Sequence, residues 1–346
     1  VAAPFGCDRD LAVVGHPLRL ARRFVKFLTE TVGCDQMTMR EESLVVTRPE
    51  AVAWVDHLKG YVALTKPRII ELLLVTTVPT MVVARRGWPS GLLVLFTLIG
   101  GALSAGGANA TNMYIDRDID AVMNRTKGRP LVTGTVSPTG ALLFAILLEV
   151  GAFVVLWTKV NLISALLALG AALFYVFVYT IGLKRHSRQN IVIGGAAGAV
   201  PVLVGWAAVT GHLGWAPLLL FALVFVWTPS HFWSLAIRYK DDYGAAGVPM
   251  LPSVASPREV ARQIIGYSGL LVAVSLAFGI VGHLGVLYFT VALLSGGLYL
   301  YYALQLRGGA ATQRQAMRLF HYSISYLTLL FFAMAADTLL RAYILH

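Results

Sequence analysis

From Arg68 to its C-terminus this chain is a succession of apolar runs, each about 20 residues long and separated by short polar loops. A hydrocarbon core about 30 Å thick is crossed by roughly 20 helical residues. Within it every backbone N–H and C=O needs a partner in the protein, so only helices and closed barrels span. The runs lack the inside-outside alternation of a membrane barrel strand. The expected fold is therefore all-α: a polytopic membrane helical bundle of about nine transmembrane helices, at about 69–86, 91–113, 139–158, 161–182, 190–210, 215–237, 261–281, 285–306 and 320–343. Composition agrees, since 57% hydrophobic residues, 13% charged residues and a mean hydropathy of +0.71 leave water little to solvate.

Residues 1–55 differ. Their charges (Arg9, Arg19, Arg22, Arg23, Arg40, Glu41, Glu42) are scattered and no apolar run is long enough to span, so they read as a mobile N-terminal tail ahead of an intramembrane domain over 56–346. Within the tail, Leu18–Leu28 suits a short basic amphipathic helix on a membrane surface, and the missing apolar h-region argues against a cleavable signal. Both cysteines, Cys7 and Cys34, fall here and support neither a disulfide framework nor a thiolate metal cluster.

Lys and Arg number 28 against 17 Asp and Glu, a formal net charge of +11. In a soluble protein that excess suggests nucleic acid. Here no nucleic-acid partner is expected, because the basic residues gather in alternate loops, 114–138, 183–189, 238–260 and 307–319. The opposite loops hold Arg85, Arg86 and Lys159, and the turns Gly211–Gly214 and Gly282–Gly285 hold no Lys or Arg. The positive-inside rule places the basic loops in the cytoplasm. A multi-pass protein of the cell (inner) membrane follows, with the lipid bilayer as its permanent partner. The glycines of Gly100-Gly101, Gly106-Gly107, Gly194-Gly195 and Gly198 read as close helix packing.

Chemistry concentrates at the inner end of the second span, in Asn109-Ala-Thr-Asn112-Met-Tyr-Ile-Asp116-Arg-Asp118-Ile-Asp120. If the helix continues, Asn112, Asp116 and Asp120 stack on one face with Asn109, while Asp118 points elsewhere. Carboxylates so placed repel one another and are costly near a bilayer unless a cation sits among them. Mg²⁺ fits: it takes oxygen ligands and is commonly held by one or two carboxylates plus substrate phosphates. The plainer alternative is a solvated loop in which Asp118 or Asp120 pairs with Arg117 or Arg125. A second acidic patch, Arg238-Tyr239-Lys240-Asp241-Asp242-Tyr243, occupies another loop on the same side. Two carboxylate groups at one membrane face suit two cations bridged by a diphosphate, with Arg129, Lys184, Arg185, Arg238 and Lys240 neutralising its oxygens.

These residues carry a resemblance. Asn-x-x-x-Asp-x-x-x-Asp after a second span resembles the aspartate-rich motif of the UbiA-type intramembrane prenyltransferases. Leu64-Thr-Lys-Pro-Arg68, Asn112 to Thr126 with Arg129-Pro-Leu, Lys184-Arg-His-Ser187, Asn190-Ile-Val-Ile-Gly-Gly195 and Asp241-Asp-Tyr with Gly247-Val-Pro-Met-Leu-Pro252 look like the heme-farnesylating branch of that superfamily. The likeness runs from about Leu58 to the last span. One departure stands out: where many members of the superfamily carry Asp-x-x-x-Asp in the second motif, this chain has adjacent Asp241 and Asp242.

The resemblance implies transfer of a farnesyl group from farnesyl diphosphate to a vinyl group of heme b, addition of water, and release of heme O and diphosphate. It implies Mg²⁺ or another divalent cation held by Asn112, Asp116, Asp120, Asp241 and Asp242, and adds Arg68 to the diphosphate-binding set. Heme b is then a substrate rather than a cofactor, and a heme A-forming membrane enzyme is the expected downstream partner. Tyr114, Tyr239 and Tyr243, with Tyr179 and Trp233, offer aromatic faces to a carbocation, although aromatic residues also anchor helices at membrane interfaces. His231 suits a ligand to heme iron or a contact to its propionate, and equally a buried histidine bonded to a neighbouring helix. His186, in the basic loop, reads as solvated. The rival readings are a UbiA-type enzyme acting on an aromatic quinone precursor and, in another class, a transporter. A transporter predicts polar groups near the midplane, whereas these carboxylates gather at one end of their spans.

Overall fold

A computed structural model describes residues 54–307 and 312–344, without the side chains of 68–69, 71–74 and 344. Most of the expected tail, including Leu18–Leu28, lies outside the described residues, as does the side chain of Arg68. A short helix α1 (Trp54–Leu64), not anticipated from the sequence, exposes Trp54, Leu58 and Val62 and buries Gly60 and Leu64. That is the division of a helix lying along a membrane interface.

The long helices follow as α2 (Pro67–Arg85), α3 (Gly91–Ile115), α5 (Pro138–Lys159), α6 (Leu162–Leu173), α7 (Asn190–Thr210), α8 (Trp215–Arg238), α11 (Pro257–Val281), α12 (Val286–Leu304) and α13 (Gln313–Ile344). Three short ones sit in the loops, α4 (Arg117–Val122), α9 (Lys240–Ala245) and α10 (Leu251–Val254). Helix α6 runs directly into a π-helical segment, Phe174–Leu183. No strand occurs among the described residues. Each expected span is a helix, and among the described residues eight of them are long and apolar enough to cross a membrane; α2 includes side chains outside the described residues. The largest boundary difference is α13, which begins at Gln313 rather than near 320 because its first turns, rich in Gln and Arg, extend beyond the apolar stretch.

Local chemistry sets the helix ends. Ser137 accepts from the Gly140 N–H at 3.1 Å ahead of α5, Asn161 from the Ser164 N–H at 2.8 Å ahead of α6, and Ser256 from the Glu259 N–H at 3.3 Å ahead of α11. Pro138 and Pro257 occupy the first turn, where a missing N–H costs nothing. At the far end, Asp337 on α13 accepts from the Gly285 N–H at 2.6 Å and so caps α12 from another helix.

Neighbours in the chain pack in sequence from α2 to α13, and α13 returns onto both α2 and α8, closing the bundle. Lipid tails are as apolar as leucine, so close van der Waals fit holds membrane helices together. The glycines supply it. A Cβ at Gly107 would lie 2.9 Å from the Ala145 carbonyl on α5, one at Gly205 2.9 Å from the Thr77 carbonyl on α2, and one at Gly194 2.2 Å from the Tyr179 ring. Gly101 and Gly198, by contrast, face open space. A larger core of Leu220, Trp233, Leu271, Phe278, Tyr288, Tyr299, Tyr326 and Phe331 joins α8, α11, α12 and α13.

Candidate active site

The inner end of α3 sorts its polar residues by face as the spacing predicts. Asn109, Asn112, Asp116 and Asp120 are all buried, Asp116 completely, whereas the Asp118 side chain is 61% exposed. Helix α3 ends at Ile115, and Asp116 takes φ −87°, ψ 6° before α4 starts. The backbone rhythm persists across this joint, with Asp116 N–H on the Asn112 carbonyl and Asp120 N–H on the Asp116 carbonyl, both at 2.9 Å.

Cations surround these carboxylates. Lys184 Nζ donates to Asp116 Oδ2, Arg185 Nη2 stands 3.7 Å from Asp116 Oδ1, and Arg129 Nη1 donates to Asp120 Oδ2 at 2.5 Å. Arg185 also makes a two-pronged pair with Asp118, 2.7 Å on each arm, whose hydrogen bonds hold that carboxyl down at about 2. Asp118 and Asp120 thus pair with Arg185 and Arg129, not with Arg117 or Arg125. Lys66 completes the group and was not singled out from the sequence, which drew attention to Arg68 in the same motif. It turns its ammonium inward to Asn112 Oδ1 at 2.8 Å from a left-handed backbone position (φ 52°, ψ 63°) just ahead of Pro67. Burial lowers the Lys66 pKa to about 7, helped by the like charges of Arg129 and Lys184.

The π-helical segment brings a further wall. Tyr175 and Tyr179 stack at 5.3 Å between ring centres, and Thr180, fully buried, meets the Asn112 side-chain nitrogen at 3.1 Å. The second acidic loop lies at the same end. Asp242, half-buried, accepts from Asn124 at 3.3 Å, and Arg125 donates to the Tyr243 hydroxyl at 3.3 Å. Apolar packing of Ile119 and Met123 against Tyr243, Val248 and Met250 ties α4 to the α9–α10 loop. Asp241, Arg238 and Lys240 are exposed on that loop.

Several expected contacts fall elsewhere. The Tyr114 ring lies under Arg117 at 4.8 Å, and the rings of Tyr239 and Tyr243 lie beside Arg125 at 5.5 and 5.8 Å, so arginines already cover these faces. His231 is sandwiched between Trp227 (4.2 Å) and Phe320 (4.7 Å), with Nδ1 on the Ser323 hydroxyl at 2.6 Å. This is the buried histidine bonded to a neighbouring helix. Trp233 is wholly buried, edge-on to Tyr267. His186 binds the Gly182 carbonyl at the surface.

Among the described residues no three carboxylate, imidazole or thiol side chains converge into a ready-made cation cage. The chemistry of the donors still suits a divalent cation. Asp116 Oδ1 is buried without a hydrogen-bond partner, an acceptor normally costly to leave unmet. A hard cation arriving with phosphates needs only one or two such carboxylates.

The model of the UbiA prenyltransferase family matches residues 73–324. A protein of Parafrankia sp. (strain EAN1pec) named protoheme IX farnesyltransferase is 54% identical over 86% of this chain and 96% of its own length. One of the same name from Streptomyces avermitilis is 56% identical over 82% of this chain and 95% of its own. Among solved structures, a digeranylgeranylglyceryl phosphate synthase aligns with a TM-score of 0.67 at 18% identity, over 82% of this chain and 99% of that one. A UbiA homolog from Archaeoglobus fulgidus bound to GPP and Mg²⁺ aligns with a TM-score of 0.55 at 16% identity, over 80% of this chain and 99% of that one.

Proposed function

Because the chain belongs to the UbiA prenyltransferase family, we propose that it transfers the farnesyl group of farnesyl diphosphate to a vinyl group of heme b, with addition of water, giving heme O and diphosphate. The observation that carries this reading is identity above one half with proteins named protoheme IX farnesyltransferase over nearly their whole length. The site geometry supports its diphosphate half. In the reaction the C1–oxygen bond of farnesyl diphosphate breaks, C1 joins the terminal vinyl carbon, and water adds to the inner vinyl carbon with loss of a proton.

Negative charge grows on the departing diphosphate. Lys66, Lys184, Arg185 and Arg129 already stand around Asp116 and Asp120, so their donors are in place before the bond breaks and need little reorganisation. Arg238 and Lys240, exposed at the same end, extend this positive rim; Arg68, whose side chain lies outside the described residues, is a further candidate. Mg²⁺ would be held by Asp116 and Asp120, with Asp241 or Asp242 as the candidate on the second loop, and would supply charge neutralisation to the diphosphate. The stacked pair Tyr175 and Tyr179 offers π faces to the allylic cation, worth about 0.5–2 kcal/mol each. Apolar helix walls keep water from the cation until the new carbon–carbon bond has formed. The site opens on the cytoplasmic face of the cell membrane, where the basic loops lie.

Incubating membranes containing the protein with heme b, farnesyl diphosphate and Mg²⁺ is expected to yield a later-eluting heme whose mass has risen by one farnesyl group plus one hydroxyl. Chelation of divalent cations is expected to abolish it. Absence of that product, or prenylation of a quinone precursor in its place, overturns the assignment.

A further inference from the structure

We propose that Thr180 is a positioning residue of the diphosphate site: through the amide of Asn112 it fixes the Asp116 carboxylate with one oxygen left free for a divalent cation, and Asn112 is the link, not a metal ligand. The inference rests on the reading of Asp116 given above.

Donor and acceptor arithmetic carries it. Thr180 Oγ1 donates its one proton to the Tyr175 carbonyl, five residues back, at 2.8 Å. Toward Asn112 it is therefore an acceptor, so the group facing it at 3.1 Å is the amide nitrogen. That same nitrogen donates to Asp116 Oδ2 at 2.7 Å, and the amide oxygen on the other side receives Lys66 Nζ, a donor in its ammonium form. Flipping the amide would set its oxygen against a carboxylate and its nitrogen against an ammonium. Asn112, Asp116 and Thr180 are all buried, so water offers no substitute partner. The oxygen by which Asn112 would bind a metal is thus committed to Lys66, while its nitrogen holds Asp116 in place.

The consequence falls on Asp116. Its Oδ2 is engaged by Asn112 and Lys184, and its buried Oδ1 has no hydrogen-bond partner, only the Arg185 guanidinium at ion-pair distance, 3.7 Å away. A carboxylate clamped by one oxygen and open at the other is the usual product of hydrogen bonding behind a metal ligand. The π-helical segment makes the clamp possible. Hydrogen bonds to the fifth preceding residue, including Lys184 N–H on the Tyr179 carbonyl at 2.8 Å, bring Thr180 to Asn112 and Lys184 to Asp116 together. Such segments are rare and concentrate at functional sites.

The test reads metal binding without turnover, by Mn²⁺ electron paramagnetic resonance on the purified full chain with farnesyl thiodiphosphate, a non-reacting substrate analogue. Thr180→Val keeps the side-chain shape and removes the hydroxyl; Mn²⁺ affinity is expected to fall about tenfold or more, and Thr180→Ser to restore it. Asn112→Asp separates link from ligand. A direct ligand replaced by a carboxylate holds Mn²⁺ at least as tightly, whereas a lost donor beside Asp116 weakens it. Wild-type affinity in Thr180→Val, or equal or tighter binding in Asn112→Asp, overturns the proposal; should Thr180→Val not fold, Asn112→Asp decides alone. Asp116→Asn serves as reference, because undiminished Mn²⁺ binding there removes the metal-site reading itself.

Discussion

Lys66 shows how one side chain can set the pH response of an anion site. An ordinary lysine ionises near 10.5, but here burial and the neighbouring Arg129 and Lys184 bring it to about 7. Below that pH Lys66 is a cation facing the proposed diphosphate position; as pH rises through about 7 it becomes a neutral amine and the site loses one positive charge. A bound diphosphate favours the cation and pulls the pKa back up. The kcat/KM for farnesyl diphosphate should therefore fall between about pH 7 and 9 while kcat at saturation changes less, since kcat/KM reports the free enzyme. Lys66→Arg stays charged throughout and should flatten this limb; an unchanged limb in that variant would assign the titration to another group. The sign for stability is opposite. Between about 7 and 10.5 the folded chain binds fewer protons than the unfolded one, so the contribution of Lys66 to stability rises with pH across that window. Legibility at this scale was divided. Spacing alone separated buried Asp116 and Asp120 from exposed Asp118, because helical periodicity maps number onto face. Lys66 escaped it because a left-handed turn aims its side chain, and no periodicity reports such a turn.

Elements were legible where one physical term dominates. Hydropathy located α7 at 190–210 to the residue, since the polar stretch 184–189 ahead of it and Gly211, at φ 70°, behind it bound the apolar run on both sides. The π-helical segment Phe174–Leu183 was hidden because its residues are nearly all apolar, and widening the turn changes no hydropathy. Its seating against α7 depends on one missing side chain. A Cβ at Gly194 would lie 2.2 Å from Cδ2 and 2.9 Å from Cγ of Tyr179, atoms too near the backbone to swing aside. Gly194→Ala should push the segment away, lowering stability by about 1–3 kcal/mol and displacing Thr180 and Lys184 enough to reduce prenyl transfer. Gly198, one turn further along α7, faces open space, so Gly198→Ala should be neutral or stabilising by up to about 1 kcal/mol through helix propensity. Thermal unfolding of both variants in detergent checks the contrast, and equal shifts would show that the close approach at Gly194 does not hold the segment.

Across the whole molecule the two ends of the bundle do different work. At one end three loops are knitted by charge, Asp118 with Arg185 at 2.7 Å, Arg188 with Glu259 at 3.4 Å and Asn124 with Asp242 at 3.3 Å, around buried carboxylates that suit a diphosphate. At the other, Asp337 and Arg341 tie α13 to the α11–α12 turn, and the loops carry fewer basic residues, Arg85, Arg86 and Lys159. A diphosphate cannot cross the hydrocarbon core unaided, because burying its charge there is prohibitive. The site must then open to the compartment that supplies the isoprenoid, and the proposed orientation, with the basic loops inside, predicts that this compartment is the cytoplasm. Orientation is thus a test of function as well as of topology. With Cys7 and Cys34, the two cysteines of the chain, changed to serine, a cysteine at exposed Gly128 reports the site end and one at exposed His212 the far end. A membrane-impermeant maleimide applied to intact cells from the outside should label His212→Cys at once and Gly128→Cys only after the membrane is permeabilised. The reverse pattern would put the carboxylates on the wrong side for a cytoplasmic diphosphate, and the chemistry argued for them would have to draw its substrate from outside the cell.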